Sequence, residues 1–333
     1  MTLSPSKALR TVFGEVMSDL ARRDPRVVML DADVGSSTGG ETFERDHPER
    51  YLQLGIAEQN MLGVAAGLAT IGFTPVASAF ACFVVGRAFD SIRVLIAQPG
   101  LNVKIVGGYS GLLTGMTGKT HQIFNDIAIM RSLPNMTVLA PADEIEGQQA
   151  LEAMVNTPGP CYMQVTREPA AALFDTGYAF RLGNAVKVRD GSDVTLVSSG
   201  VQTTRVYEAA EHLSRRGIES TLLHVPTIKP LDAKAVINAA QATDLVVVVE
   251  EQSVVGGLGG AVAEVLSSHY PVTVKRLGIQ DVYGESGPNA ALLEKYRLSA
   301  AQVANDVERL VRARAHARPS SLAPLADGAT QHG

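Results

Sequence analysis

Residues 9–31 read LRTVFGEVMSDLARRDPRVVMLD, and a change of period inside them decides the fold. Leu9, Val12, Phe13, Val16, Met17 and Leu20 recur at the spacing of one helix face. Val27 to Leu30 is instead a continuous apolar, β-branched run that ends at Asp31. An amphipathic helix therefore leads into a strand that is apolar on both faces. Such a strand belongs inside a parallel sheet covered on two sides.

The alternation continues outward from this stretch. It predicts helices near 58–70, 82–97, 124–131 and 143–154, with strands near 75–78, 102–106, 137–140 and 161–165. Pro169, Gly177, Gly183 and Gly191 then break the rhythm. A second series follows, with strands at 194–198, 220–225, 245–249 and 272–276 and helices at 203–215, 232–242 and 260–267. Two helices close it, the last capped by Ser299. The expected fold class is α/β, as two doubly wound domains with mostly parallel sheets over residues 1–168 and 193–312. Residues 169–192 read as a linker, and residues 313–333, rich in Ala, Pro, Ser and Gly, as a disordered tail.

Composition agrees with two domains and excludes several functions. At about 150 residues per domain, 333 residues make about two, and 46% hydrophobic content fills two cores. Twenty-nine Lys and Arg against 34 Asp and Glu give a net charge of −5, and the cations are scattered, so no nucleic-acid footprint is present. Cys82 and Cys161 form no Cys-x-x-Cys pattern, which argues against a disulfide framework, zinc or an iron–sulfur cluster and for a reducing compartment. With no apolar leader in residues 1–10, a cytoplasmic location is expected. Residues 59–86 carry no charge and are long enough on paper to cross a bilayer. Gly63, Gly67, Gly72 and Pro75 interrupt them, so they read as helix, turn, strand and helix.

Open parallel sheets bind ligands at the carboxyl ends of their strands, and three segments there carry chemistry. In Leu54-Gly55-Ile56-Ala57-Glu58-Gln59-Asn60-Met61 a carboxylate opens a helix with no cation within seven residues, a setting that disfavours ionisation when buried. A first-turn glutamate that merely complements the helix dipole fits the same pattern. Phe80 and Phe83, three apart after a strand, can stack on a flat heterocycle or simply pack. The loop from Gly107 to His121 holds five glycines, which let backbone approach a ligand, and ends in a histidine able to move a proton or to serve structure alone. Gly256-Gly257-Leu258-Gly259-Gly260 lacks the full dinucleotide spacing, and no phosphate loop or Gly-x-Ser-x-Gly elbow occurs.

Taken together and in order, these segments resemble the transketolase superfamily of thiamine-diphosphate enzymes, as its pyrimidine-binding and C-terminal domains, over residues 6–312. The resemblance rests on Gly55-Ile56-Ala57-Glu58-Gln59-Asn60-Met61, the Phe80 and Phe83 pair, Gly118-Lys119-Thr120-His121-Gln122, Arg131-Ser132-Leu133-Pro134-Asn135 and Pro141-Ala142-Asp143. It implies that Glu58 shares a proton with the cofactor's aminopyrimidine ring and so activates the thiazolium carbon. It places Phe80 and Phe83 against that ring, Asp33 and Val34 in a flanking loop, His121 near the reacting oxygens of the substrate, and Ser37 and Arg167 at a sugar phosphate.

The departures are informative. Thr117 stands where the family has an aspartate that reads a substrate hydroxyl, Tyr109 where it has a phosphate-contacting histidine, and Gly86 where it has a further aromatic. An atypical donor or acceptor is therefore expected. The family binds the diphosphate and Mg2+ through a Gly-Asp-Gly run followed by an Asn, and this sequence contains no such run. The resemblance thus implies a C-terminal subunit of a split transketolase, a transferase moving a two-carbon ketol unit from a ketose to an aldose. This chain then supplies no metal ligand. Thiamine diphosphate is shared with, and Mg2+ held by, a separate N-terminal subunit, in a heterotetramer with two copies of each chain. The beta subunit of a 2-oxoacid dehydrogenase has the same two domains and is the alternative. The sequence does not identify the sugars, their phosphorylation or the partner.

Overall fold

The computed structural model describes residues 4–317 of the chain. The helix Leu9–Arg23 buries Leu9, Val12, Phe13, Val16, Met17 and Leu20, and the strand Val27–Asp31 is buried at all five positions, as the change of period requires. That strand sits within a seven-stranded sheet. Its spatial order is Thr227–Lys229, Thr137–Leu139, Cys161–Val165, Lys104–Gly108, Thr74–Phe80, Val27–Asp31 and Tyr51–Gln53. Every pair is parallel except the first. A second, five-stranded sheet runs Thr273–Ile279, Leu245–Ser253, Val194–Ser198, Ser220–His224 and Val186–Arg189, with only the last strand antiparallel. The expected class, two α/β units with mostly parallel sheets, is what the chain forms.

Register aligns the ends of the first sheet. Asp31 lies level with Gln53 and Ser78, Phe80 with Gly108, and Gly108 with Val165. The segments after these residues, from Ala32, Leu54, Ala81, Tyr109 and Thr166, therefore leave by one edge. The chain moves to opposite sides of Val27–Asp31 to reach Tyr51–Gln53 and Thr74–Phe80, which makes that edge a switch point of the kind that opens a crevice.

Several details differ from expectation. The helix expected over 82–97 is broken into Ala81–Val84, Phe89–Ser91 and a π-helical stretch Ile92–Ala97. The stretch read as linker contributes the strand Val186–Arg189 to the second sheet, and Ala171–Ala172 pairs with Ser4–Pro5. Thr227–Lys229, from the second half, completes the first sheet beside Thr137–Leu139. One apolar cluster runs through both halves, from Val28, Leu30 and Ile105 to Val197, Val246 and Val248. The final helix, Ala300–Ala317, extends into the expected tail, because Ala313-Arg314-Ala315-His316-Ala317 continues its run of helix-favouring Ala and Arg. Residues 318–333 lie outside the described residues. No helix among the described residues is long and apolar enough to cross a membrane.

Candidate active site

Glu58 is the first residue of the helix Glu58–Thr70 and is only 2% exposed. Its cation-poor setting in sequence does not survive folding. Arg87, 29 residues away, places Nη1 3.0 Å from Glu58 Oε1 and 2.8 Å from Oε2. The break in the 82–97 helix allows this, since the turn after Val84 carries Arg87 back over the start of the Glu58 helix. The Arg87 guanidinium also lies over the Phe83 ring, 4.7 Å from its centroid.

From Phe83 an aromatic cluster extends across the strand ends. Phe80 and Phe83 stand 6.1 Å apart at 31°. His121 meets Phe83 edge-on at 5.3 Å and Phe80 at 6.1 Å, and its Nδ1 lies 2.9 Å from the Thr120 hydroxyl. Tyr109 packs on Phe80 at 4.3 Å, and Arg167 lies over the Tyr109 ring at 5.4 Å. Four of the segments after the strands, with Phe80 at a strand end, thus bring Glu58, Phe80, Phe83, Tyr109, His121 and Arg167 into one contiguous cluster. Cys82, between the two phenylalanines, has its thiol pushed up to about 12 by burial, which disfavours the thiolate.

The flanking loop owes its shape to Asp31. This buried carboxyl accepts hydrogen bonds on Oδ1 from Val34 N (2.8 Å), Gly35 N (3.1 Å) and Gln53 Nε2 (3.1 Å), and burial raises its pKa. Asp33 is exposed, takes φ 62° and donates its N–H to Gln53 Oε1, while Val34 packs against the core. Gly14 and Gly39 let the first helix approach this loop, because a Cβ on Gly14 would stand 2.2 Å from the Gly39 carbonyl oxygen. That approach delivers Arg10, which sequence reasoning missed. Its Nη1 donates to the Ser37 carbonyl (3.3 Å) and to the Tyr109 hydroxyl (3.5 Å). Two guanidinium groups therefore meet at Tyr109. Thr117 is exposed, and its hydroxyl donates to the Thr114 carbonyl of its own turn.

A second group missed in sequence anchors Ser110, the neighbour of Tyr109 in the chain. Asp126, fully buried, accepts from Ser110 Oγ (2.7 Å), Tyr162 OH (2.5 Å) and Gln164 Nε2 (2.8 Å), and burial raises its pKa. The remaining glycine-rich run is closed to phosphate. Leu258 N and Gly259 N, at the start of the helix Leu258–His269, each donate to the Glu250 carboxyl at 2.8 Å, so the chain fills that anion position itself.

A buried glutamate at a helix start thus stands beside aromatic faces and a histidine at the switch point of a parallel sheet. Two family models match the chain, the transketolase pyrimidine-binding domain over residues 6–171 and the transketolase C-terminal domain over residues 183–303. The chain belongs to the transketolase family. It is 38% identical over 295 residues to the 6-deoxy-6-sulfo-D-fructose transketolase subunit SqwH of Clostridium sp. (strain MSTE9), covering 89% of this chain and 92% of that one. It is likewise 38% identical to a putative transketolase C-terminal section of Methanocaldococcus jannaschii, over 90% of this chain and 95% of that protein. Among solved structures it resembles a split-gene transketolase, described as an inactive beta4 tetramer, with TM-score 0.84, 40% identity and coverage of 92% of this chain and 99% of that one.

Proposed function

We propose that this chain is the C-terminal subunit of a split transketolase and transfers a two-carbon ketol unit from a ketose to an aldose once joined to a separate diphosphate-binding subunit. The family membership makes it a thiamine-diphosphate-dependent transferase. The observation that carries the residue-level reading is the contiguity of Glu58, Phe83 and His121 at one sheet edge. The relatives named as transketolase subunits or sections favour ketol transfer over the oxidative decarboxylation of a 2-oxoacid dehydrogenase. The tetramer of a similar chain described as inactive supports the need for a partner.

The residues present suit the ring end of the cofactor. A buried carboxyl can hold a ring N–H, and Phe80 and Phe83 offer flat apolar faces. Bound there, thiamine diphosphate supplies a nucleophilic carbon that stabilises negative charge. In this reading the Glu58 carboxylate accepts the ring N–H and shares its proton, and Arg87, 49% exposed along its side chain, orients the carboxylate from the solvent side. Asp33 and Val34 border the ring through the loop that Asp31 shapes. His121 serves as proton donor to the substrate oxygens. Tyr109, Ser37 and Arg167, with Arg10, hold the anionic end of the sugar, in keeping with the sulfonated sugar in the name of one relative. Thr117, at the exposed turn, borders the acceptor. The diphosphate and Mg2+ fall to the partner, and two copies of each chain complete the assembly.

The test is an assay of the reconstituted pair. Ketol transfer to an aldose that requires both chains and thiamine diphosphate is the expected result. Decarboxylation of a 2-oxo acid with acylation of a lipoyl group, without ketol transfer, would overturn the reading.

A further inference from the structure

The loop that carries His121 is gripped on its far side by the C-terminal half of the chain. Three of its glycines face that half at positive φ. A Cβ would lie 2.6 Å from Glu251 Oε1 at Gly111, 2.3 Å from Asn289 Oδ1 at Gly115 and 2.3 Å from Ser286 Oγ at Gly118. The sequence pattern pointed to glycines making room for a ligand, yet these three make room for another part of the same chain.

Polar contacts reinforce the fit. Leu112 N and Leu113 N donate to Glu251 Oε1 at 2.8 and 3.0 Å, and Arg205 pairs with the other oxygen of that carboxylate. Gln122, buried and next in sequence to His121, donates from Nε2 to the Leu112 carbonyl (3.3 Å) and to the Glu285 carbonyl (3.2 Å). Gly284 lets the C-terminal segment close over this amide, since a Cβ there would stand 1.9 Å from Gln122 Oε1. From Gly111 to Gln122 the loop is therefore set at each of its turning points by residues of the C-terminal half.

We infer that the C-terminal half is the mould of the His121 loop and that Gln122 is the positioning residue through which it places the imidazole. The inference rests on the reading of His121 as substrate-facing. A side chain on a loop of single turns has no helix or strand to fix it, so its aim depends on what the loop is pressed against. A misplacement of about 1 Å at a reacting group costs up to about a hundredfold in rate.

The test compares Gln122→Ala, Gly284→Ala and the double variant. Gly284 has no positive φ, so the added methyl acts chiefly by displacing the Gln122 amide, 1.9 Å away, while the Phe124 ring at 3.0 Å has to give by only a few tenths of an ångström. In the assembled pair each single variant should lower kcat/KM by about 10- to 100-fold, and the double variant should be no worse than Gln122→Ala alone. Affinity for thiamine diphosphate should stay unchanged, since Glu58 and Phe83 stand on other elements. In the free full-length chain, trypsin should cut after the exposed Lys119 several-fold faster in each variant while the thermal midpoint holds. Unchanged kcat/KM, losses that multiply in the double variant, cofactor affinity falling in step, or unaltered Lys119 cleavage would each overturn the inference. Glu58→Ala separates the two readings. Full activity of that pair sinks the proposed chemistry, whereas the tryptic assay still decides whether the loop is moulded from behind.

Discussion

Glu250→Gln should change how the stability of this chain responds to pH. The Glu250 carboxyl is 1% exposed, and burial pushes its pKa up to about 7 from an ordinary 4.5, against the opposing pull of Leu258 N, Gly259 N, Arg276 and Arg131. Between those two values the folded protein keeps a proton that the unfolded chain has released. The stability contributed by the neutral acid is therefore complete below about pH 4.5 and is lost as pH rises through about 7. The gap corresponds to about 3 kcal/mol. The amide does not titrate, but it turns an N–H toward one of the two backbone donors, which should cost about 1–3 kcal/mol at acid pH. The stability of the natural chain minus that of the variant should thus fall by about 2–3 kcal/mol between roughly pH 5 and pH 8. Urea midpoints at constant ionic strength, with m unchanged, measure it. A difference flat to within about 0.5 kcal/mol would refute the buried-acid argument.

Other substitutions probe the site directly. Glu58→Ala should lower turnover of the assembled pair by orders of magnitude while leaving the fold intact, because the half-exposed Arg87 hydrates when unpaired; single-turnover kinetics and thermal unfolding read the two effects separately. Phe83→Ala should raise the Kd for thiamine diphosphate by about 3- to 10-fold, as measured by titration, since a lost aromatic contact is worth about 0.5–1.5 kcal/mol. Arg167→Ala, and Arg10→Gln to a smaller degree, should raise KM for phosphorylated or sulfonated sugars and leave neutral sugars unaffected. KM values for charged sugars unchanged from those of the natural chain in both variants would show that neither guanidinium meets the anion.

Much of this was legible in the sequence because it depends on neighbours along the chain. Periodicity placed Val27–Asp31, Cys161–Val165 and Val194–Ser198 at their observed bounds, and Glu58 at the start of its helix, because apolar spacing reports burial directly. The Glu58–Arg87 pair was hidden because it spans 29 residues and needs a helix break that hydrophobic spacing cannot show. Arg10 was hidden for a similar reason, since its position depends on Gly14 meeting Gly39. The glycines at 111, 115 and 118 were visible, but a glycine reports only that something comes close. Segments that carried the family resemblance also proved structural. Asp143 caps the helix Glu144–Asn156 and accepts Leu173 N and Phe174 N, and Arg131 reaches the Gly256 carbonyl across the two halves.

The loan of Thr227–Lys229 to the sheet of the other half bears on where such a chain can be severed. A cut near residue 180 separates the two family domains on paper, yet it would strip Thr137–Leu139 of its outer neighbour and leave a bare ladder of amides open to aggregation. The two matched regions thus share one sheet and one apolar cluster, so neither keeps all its edges covered without the other.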